Sequence, residues 1–200
     1  EYYNHIVELV KKSIETANSE LCYEAEGRNA VNRMSTTLDV VLNLDKLVYV
    51  YHIGDSRVYL LNKNDELVQL TKDESNTQND IDSGLIQKEQ ARFYPDYFGA
   101  GPNNRFGADR KLRFCEYSYG TSGIKRILMT TDGLSDIVLD EDIREIMLIP
   151  DQSKALDEFA KAYTLPRDNS VESFLFYNDM PVNWLNETEE FLAWVRRIPL

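Results

Sequence analysis

The chain has 200 residues, with 22 Lys and Arg against 34 Asp and Glu, and a formal net charge of −12. The length suits one ordinary domain with a sizeable core, and the charge argues against a nucleic-acid partner, which would call for a basic face. No apolar run approaches the ~20 residues of a membrane helix, so no membrane partner is expected, and the cysteines, Cys22 and Cys115, suit buried or half-buried free thiols in a reducing, cytoplasmic setting.

In chain order, residues 3–21 place Ile6, Leu9, Val10, Ile14, Ala17 and Leu21 at helical spacing, the pattern of an amphipathic helix lying on a core. Residues 22–33 are polar and read as a loop. The period then shortens. Segments 36–44, 46–53 and 56–62 are rich in Val, Leu and Tyr and are separated by 43–45 and by Gly54-Asp55, which predicts a meander of antiparallel strands with tight turns. A fourth short strand is expected at 66–71. Residues 72–110 carry Asn, Asp, Gly and Pro with one helical piece at 86–93, and a connection of that length more often has a function than not.

Strands resume at 111–118 and 125–131, helices follow at 139–148 and 153–163, and a last strand is predicted at 171–177. In the tail, Asn186 and Glu189 form a capping pair ahead of an apolar stripe of Phe191, Trp194 and Val195. Blocks of strands and then helices mean α+β rather than alternating βαβ units. The organisation expected is a domain over 1–178 and an extension with an amphipathic helix over 179–200.

Three aspartates stand where an apolar strand meets a loop: Asp55 in HIGDSR, Asp132 after ILMTT, and Asp168 in LPRDNSV. Carboxylates gathered at strand ends raise one another's pKa unless a cation lies between them. Hard divalent ions take oxygen ligands of this kind and would supply the positive charge that an acidic chain lacks for a phosphate. Each aspartate also reads as turn or cap chemistry, and composition alone does not choose. His52 reads as a strand histidine facing a neighbour, Arg57 as the partner of a local acid, and Arg105 in PNNRFGAD as a candidate substrate contact.

The stretch MSTTLDVVLNLDKLVYVYHIGDSRVYLLNKNDELVQLTKDES resembles the metal-dependent type 2C protein Ser/Thr phosphatases, whose pattern there is a GTT strand, a strand ending in GDSR and a strand running to LTxDH. ILMTTDGLSDIVLDEDI is similar to their SDGLxDxLSDEEI block and RDNSV to their RDNxTV block. SGLIQKEQARFYP, at 83–95, is similar to the flap of the short bacterial members. The four blocks keep the family's order over residues 5–177.

The resemblance implies a four-layer α+β sandwich of two antiparallel β-sheets flanked by helices. It implies hydrolysis of phosphoserine or phosphothreonine in a phosphorylated protein substrate by a metal-activated water, with two or three Mn²⁺ or Mg²⁺ ions and a monomeric enzyme. Asp132 and Asp168 fall on the ligands for one ion of the paired metal site, Asp55 falls on the ligand for a third, weaker metal, and Arg105 lies in the flap region as a candidate substrate contact.

Departures bear on this. The family's DGHGG block, which supplies the aspartate bridging the two metals, is not in the chain and is expected upstream of the first helix. Ser35 stands where GTT has its glycine, and Glu74-Ser75 stands where LTxDH has its histidine. The missing block motivates an alternative, a catalytically inactive phosphatase-like regulatory or binding module. A haloacid-dehalogenase-type phosphatase built on TTDGLSD is disfavoured, because that chemistry wants a second aspartate at position 134, which is Leu.

Overall fold

Cys22 and Ala25 carry the first helix past its expected end. Helix α1 (Tyr2–Gly27) keeps one buried line of Val7, Ile14, Asn18, Cys22 and Ala25, so the polar-looking CYEAEG segment still has a face to bury. The structure, a computed structural model, describes residues 2–31, 33–88, 91, 102–136 and 138–164. Within these the chain divides between two compact units, Glu1–Arg144 and Glu145–Leu200.

The first unit contains two three-stranded sheets. One joins β1 (Leu38–Leu44), β2 (Leu47–Ile53) and β5 (Cys115–Gly120) in the order β1-β2-β5. The other joins β3 (Arg57–Asn62), β4 (Leu67–Gln69) and β6 (Ile124–Thr130) in the order β4-β3-β6. All four pairings are antiparallel.

The expected meander is therefore corrected at one point. β1–β2 and β3–β4 are neighbours in sequence and in space, but β2 pairs with β5, and β3 pairs with β6. The Gly54-Asp55 turn carries the chain from one sheet to the other. A second crossing follows β5, where a 3-10 turn at Thr121–Gly123 leads into β6. Thr121 fastens it, its N–H donating to Lys46 O at 3.0 Å and its hydroxyl to Asp45 O at 2.8 Å.

Alternation along the strands then builds the core. Val48 and Val50 of β2 meet Val58 and Leu60 of β3, with Leu70, Val41, Tyr117, Tyr119, Ile124 and Ile127 around them. This apolar layer holds the two sheets face to face, each buried Val or Leu contributing about 1.5–3 kcal/mol. The opposite face of β2 presents Tyr51 and Ile53 to Ile14 of α1 and to Phe106. On the far side of the second sheet, Tyr59 and Leu61 are buried, and the first turn of α4 (Asp140–Leu148) is tied there by Tyr59 Oη to Asp140 Oδ1 at 3.3 Å and Arg144 Nε to Asp65 O at 2.6 Å. The α+β sandwich of antiparallel sheets flanked by helices is the fold of the chain.

Two short helices flank the loops that lead from the sheets. α2 (Asn76–Asp82) lies in the long connection; Ser75 caps it by accepting from Gln78 N at 3.1 Å, and its sole buried residue is Thr77. α3 (Asp132–Ser135) follows β6 directly. The expected helical piece at 86–93 falls largely outside the described residues, and the predicted strand at 171–177 and tail helix lie wholly outside them. In the second unit the described elements are the end of α4 and α5 (Gln152–Thr164), which bury Met147 and Ala155.

The crossing at residue 54 admits only glycine. Gly54 has φ +108°, and a Cβ placed there would lie 2.5 Å from Thr37 Cγ2. Gly54→Ala is expected to lower the unfolding free energy by about 2–3 kcal/mol, combining backbone strain with overpacking. A urea titration that finds a loss below about 0.5 kcal/mol, the level of an ordinary surface change, would remove the steric account.

Candidate functional site

The β3–β6 register decides which carboxylates meet. Arg57 pairs with Thr130, so Asp55, two residues before one, and Asp132, two residues after the other, emerge at the same end of the sandwich. Asp55 is half-buried, and its carboxyl is pushed up to about 6, first by burial and then by the charge of Asp132. Its own backbone N–H and the charge of Arg57 oppose the shift without cancelling it.

Asp132 is exposed and opens α3, with Oδ1 accepting the Gly133 N–H at 2.7 Å. That bond engages one of its two oxygens. Neither Asp55 nor Asp132 forms an ion pair with a described Lys or Arg. Two oxygen donors under mutual repulsion fit a hard divalent cation, which would satisfy both. Among the described residues no group of three or more His, Cys, Asp or Glu is placed to hold a metal. Asp168, the third expected ligand, lies outside the described residues.

Arg57 takes a different part. Its Nε lies 2.9 and 3.0 Å from the two carboxylate oxygens of Asp73, and its Nη2 lies 2.6 Å from Asp73 Oδ2, a bidentate pair nearly closed to solvent. Gln69 Nε2 donates to the same carboxylate at 3.0 Å, and Arg57 Nη1 donates to Tyr59 Oη at 3.2 Å. The expected pairing of Arg57 with a local acid is what the chain makes.

Arg105 is half-buried between Asn104 and Phe106, and its guanidinium meets no described partner. Phe106 anchors the segment through a two-way backbone bridge to Thr36, at 2.8 and 3.0 Å. An arginine without an acid partner among the described residues could take an anionic oxygen.

His52 is fully buried. Its Nδ1 lies 2.7 Å from Asp39 Oδ1, and its Nε2 lies 3.1 Å from Lys72 O. Both partners offer acceptor oxygens, so the protonated ring can satisfy both. Burial alone would lower its pKa, but the Asp39 hydrogen bond and charge, with Glu74 and Asp73 behind them, raise it. The thiols of Cys22, buried, and Cys115, half-buried, are free as expected, and burial raises the Cys22 pKa.

The sequence reading missed Asp39, Asp73, Glu74 and Asn104 as parts of this end of the molecule. The signal for Glu74 was present in LTKDES, where the chain departs from the histidine of the resembled motif. Its partners Gly54 and Asn104 are too distant in sequence for any local pattern to join them.

A family model described as protein phosphatase 2C matches residues 3–172. Serine/threonine protein phosphatase PstP of Mycobacterium tuberculosis is 33% identical over 146 residues, covering 72% of this chain and 27% of that protein. Serine/threonine phosphatase stp of Listeria innocua is 30% identical over 141 residues, covering 69% of this chain and 54% of that protein. The chain thus spans about a quarter of the one relative and about half of the other. A crystal structure of the catalytic domain of PstP in complex with two manganese ions superposes with a TM-score of 0.61 at 29% identity, covering 73% of this chain and 59% of that one.

The His52–Asp39 pair predicts a pH dependence of stability. A raised histidine pKa adds stability that is complete below the ordinary value of 6.5 and is lost as pH rises through the folded-state value. At pH 6, Asp39→Asn should cost about 3–5 kcal/mol, because it leaves a buried charge unpaired. Urea midpoints of wild type and variant, compared at pH 6 and pH 9, should draw closer at the higher value; a constant gap would mean that the ring does not titrate between them.

Proposed function

The chain belongs to the protein phosphatase 2C family, and on that premise we propose that it hydrolyses phosphoserine and phosphothreonine in proteins with a metal-activated water. Asp55, Asp132 and Asp168 are its metal ligands in this reading, and Arg105 holds the substrate phosphate. Mn²⁺ or Mg²⁺, when bound, lowers the pKa of a water and neutralises charge on the transferring phosphoryl oxygens. The chain's own residues orient the partners. Gly133 N–H turns Asp132, the β3–β6 register sets Asp132 beside Asp55, and Arg105 offers a bidentate donor to a phosphate.

One observation carries the reading: a half-buried carboxyl raised to about 6 by burial and a neighbouring carboxylate, at a rigid strand end. Such a pair costs stability as it stands and is relieved by a cation. The manganese reported for PstP belongs to that protein and supports the same metal class here. We further take 1–178 as one catalytic domain, which the family match over 3–172 supports. The protein is read as a cytoplasmic monomer.

A second reading is a phosphatase-like binding module without catalysis. Hydrolysis of para-nitrophenyl phosphate with and without Mn²⁺ separates the two. The phosphatase reading expects Mn²⁺-dependent turnover that falls at least about a hundredfold in Asp132→Asn, with the urea midpoint unchanged. A folded protein without turnover favours the binding module, and turnover indifferent to Asp132→Asn removes the site assignment.

Asp55 gives a test that needs no turnover. Its folded pKa lies above the unfolded value of 3.8, so its contribution to stability falls as pH rises from there through about 6. Without metal at pH 7.5, Asp55→Asn should melt a few degrees above wild type, roughly the effect of 1 kcal/mol, and the gain should vanish near pH 4. With Mn²⁺ the order should reverse, because only wild type gains from the ion. A metal-free variant that melts below wild type would remove the repulsion argument.

A further inference from the structure

Glu74 ties together segments that are far apart in sequence. Its Oε2 accepts the Gly54 N–H at 2.9 Å, and Asn104 Nδ2 lies 3.1 Å from Oε1 and 3.0 Å from Oε2. Its backbone repeats both links: Glu74 N–H donates to Gly54 O at 2.7 Å, and Asn103 N–H donates to Glu74 O at 2.7 Å. No described Lys or Arg pairs with the Glu74 carboxylate, so its charge rests on these N–H donors and on the weaker Cys115 thiol, whose Sγ lies 4.0 Å from Oε1.

The neighbours of those donors are the ones that matter. Gly54 precedes Asp55, and Asn104 precedes Arg105. The segment around Arg105 is also held by Asn104 Nδ2 to Arg113 O at 2.8 Å and by the Phe106–Thr36 bridge. The turn around Asp55 is held from below by Thr37, packed against Gly54, and by the Thr37–Ser56 hydroxyl bond at 2.8 Å. Between these two anchored pieces, the side-chain link is the Glu74 carboxylate. A neutral imidazole at this position would offer one acceptor nitrogen, whereas a carboxylate offers two oxygens and a full charge. One group can then bind two donors at once.

We propose that Glu74 is a positioning residue whose carboxylate holds the Asp55 turn and the Arg105 segment in one frame, so that binding of a divalent cation at Asp55 and of a phosphate oxygen at Arg105 strengthen each other. The coupling rests on the assignment of Asp55 and Arg105 in the phosphatase reading; the mechanical link does not.

Two measurements on the protein test it. The first uses amide hydrogen exchange without metal. Asn104 does not touch the Gly54 amide, yet in Asn104→Ala that amide should exchange about fivefold faster or more, the lower end of ordinary coupling between sites. An unchanged Gly54 amide overturns the proposal. The second follows free Mn²⁺ by its paramagnetic resonance signal, with and without inorganic phosphate. Phosphate should tighten Mn²⁺ binding about tenfold in wild type, and the enhancement should fall below about twofold in both Glu74→Ala and Asn104→Ala, with the double variant no worse than Glu74→Ala. A merely structural Glu74 would leave the enhancement intact, which overturns the coupling. Should Glu74→Ala not fold, Asn104→Ala decides the matter. Wild-type protein that binds no Mn²⁺ overturns the phosphatase reading itself, and the exchange result then decides alone whether Glu74 joins the two segments.

Discussion

The close approach of Thr37 to Gly54 sets the frame on which the rest of the molecule is hung. At that point the chain leaves one sheet and enters the other, with a backbone angle that side chains rarely adopt and no space for a Cβ. Because the crossing is so tight, β2 and β3 face one another across the apolar layer instead of lying side by side. The next residue, Asp55, is thereby held at the rim of a packed sandwich, a rigid mount for a ligand. The second crossing, at the opposite end, sends β6 back toward that rim, and it arrives carrying Asp132.

Charge is distributed unevenly over this frame. Arg57 is matched to Asp73 and His52 to Asp39. Buried pairs of this kind add little net stability over an apolar packing, but removing one partner is costly, so they act as fixed furniture. Among the described residues, Asp55 and Asp132 at the rim have no basic partner in an ion pair and the Arg105 guanidinium has no acid. The division suits the proposed reading, in which positions that hold the scaffold are neutralised within the chain and those at the rim are left to be neutralised by a ligand.

Local pattern revealed the strands well, because alternation in LVYVYHI and RVYLLN has the period of a pleated surface with a buried face. It did not reveal which sheet each strand enters, since alternation is the same in either; a hairpin and a crossing differ by a few backbone angles and a methyl contact. The end of α1 was misread because Cys22 and Ala25 are small, and a stripe made of small residues carries little hydrophobic signal. α2 was missed for a related reason: NTQNDID has a cap and almost nothing to bury. Asp55 and Asp132 were visible as strand-end carboxylates, and the resemblance gave them roles. Glu74 showed only as a departure from the resembled motif and Asn104 not at all, because their partners are set by tertiary geometry that no short window contains.

The two crossings also dictate an order of assembly. β1–β2 and β3–β4 close over loops of a few residues, whereas β5 and β6 must return across the long connection to reach β2 and β3. Loop-closure entropy favours the local hairpins early and the distant pairings late. The Asp55–Asp132 repulsion is therefore absent while the hairpins form and is felt only when β6 docks. A dissolved divalent ion would meet the carboxylates at that moment, and its effect would fall on the last step of folding rather than on the first.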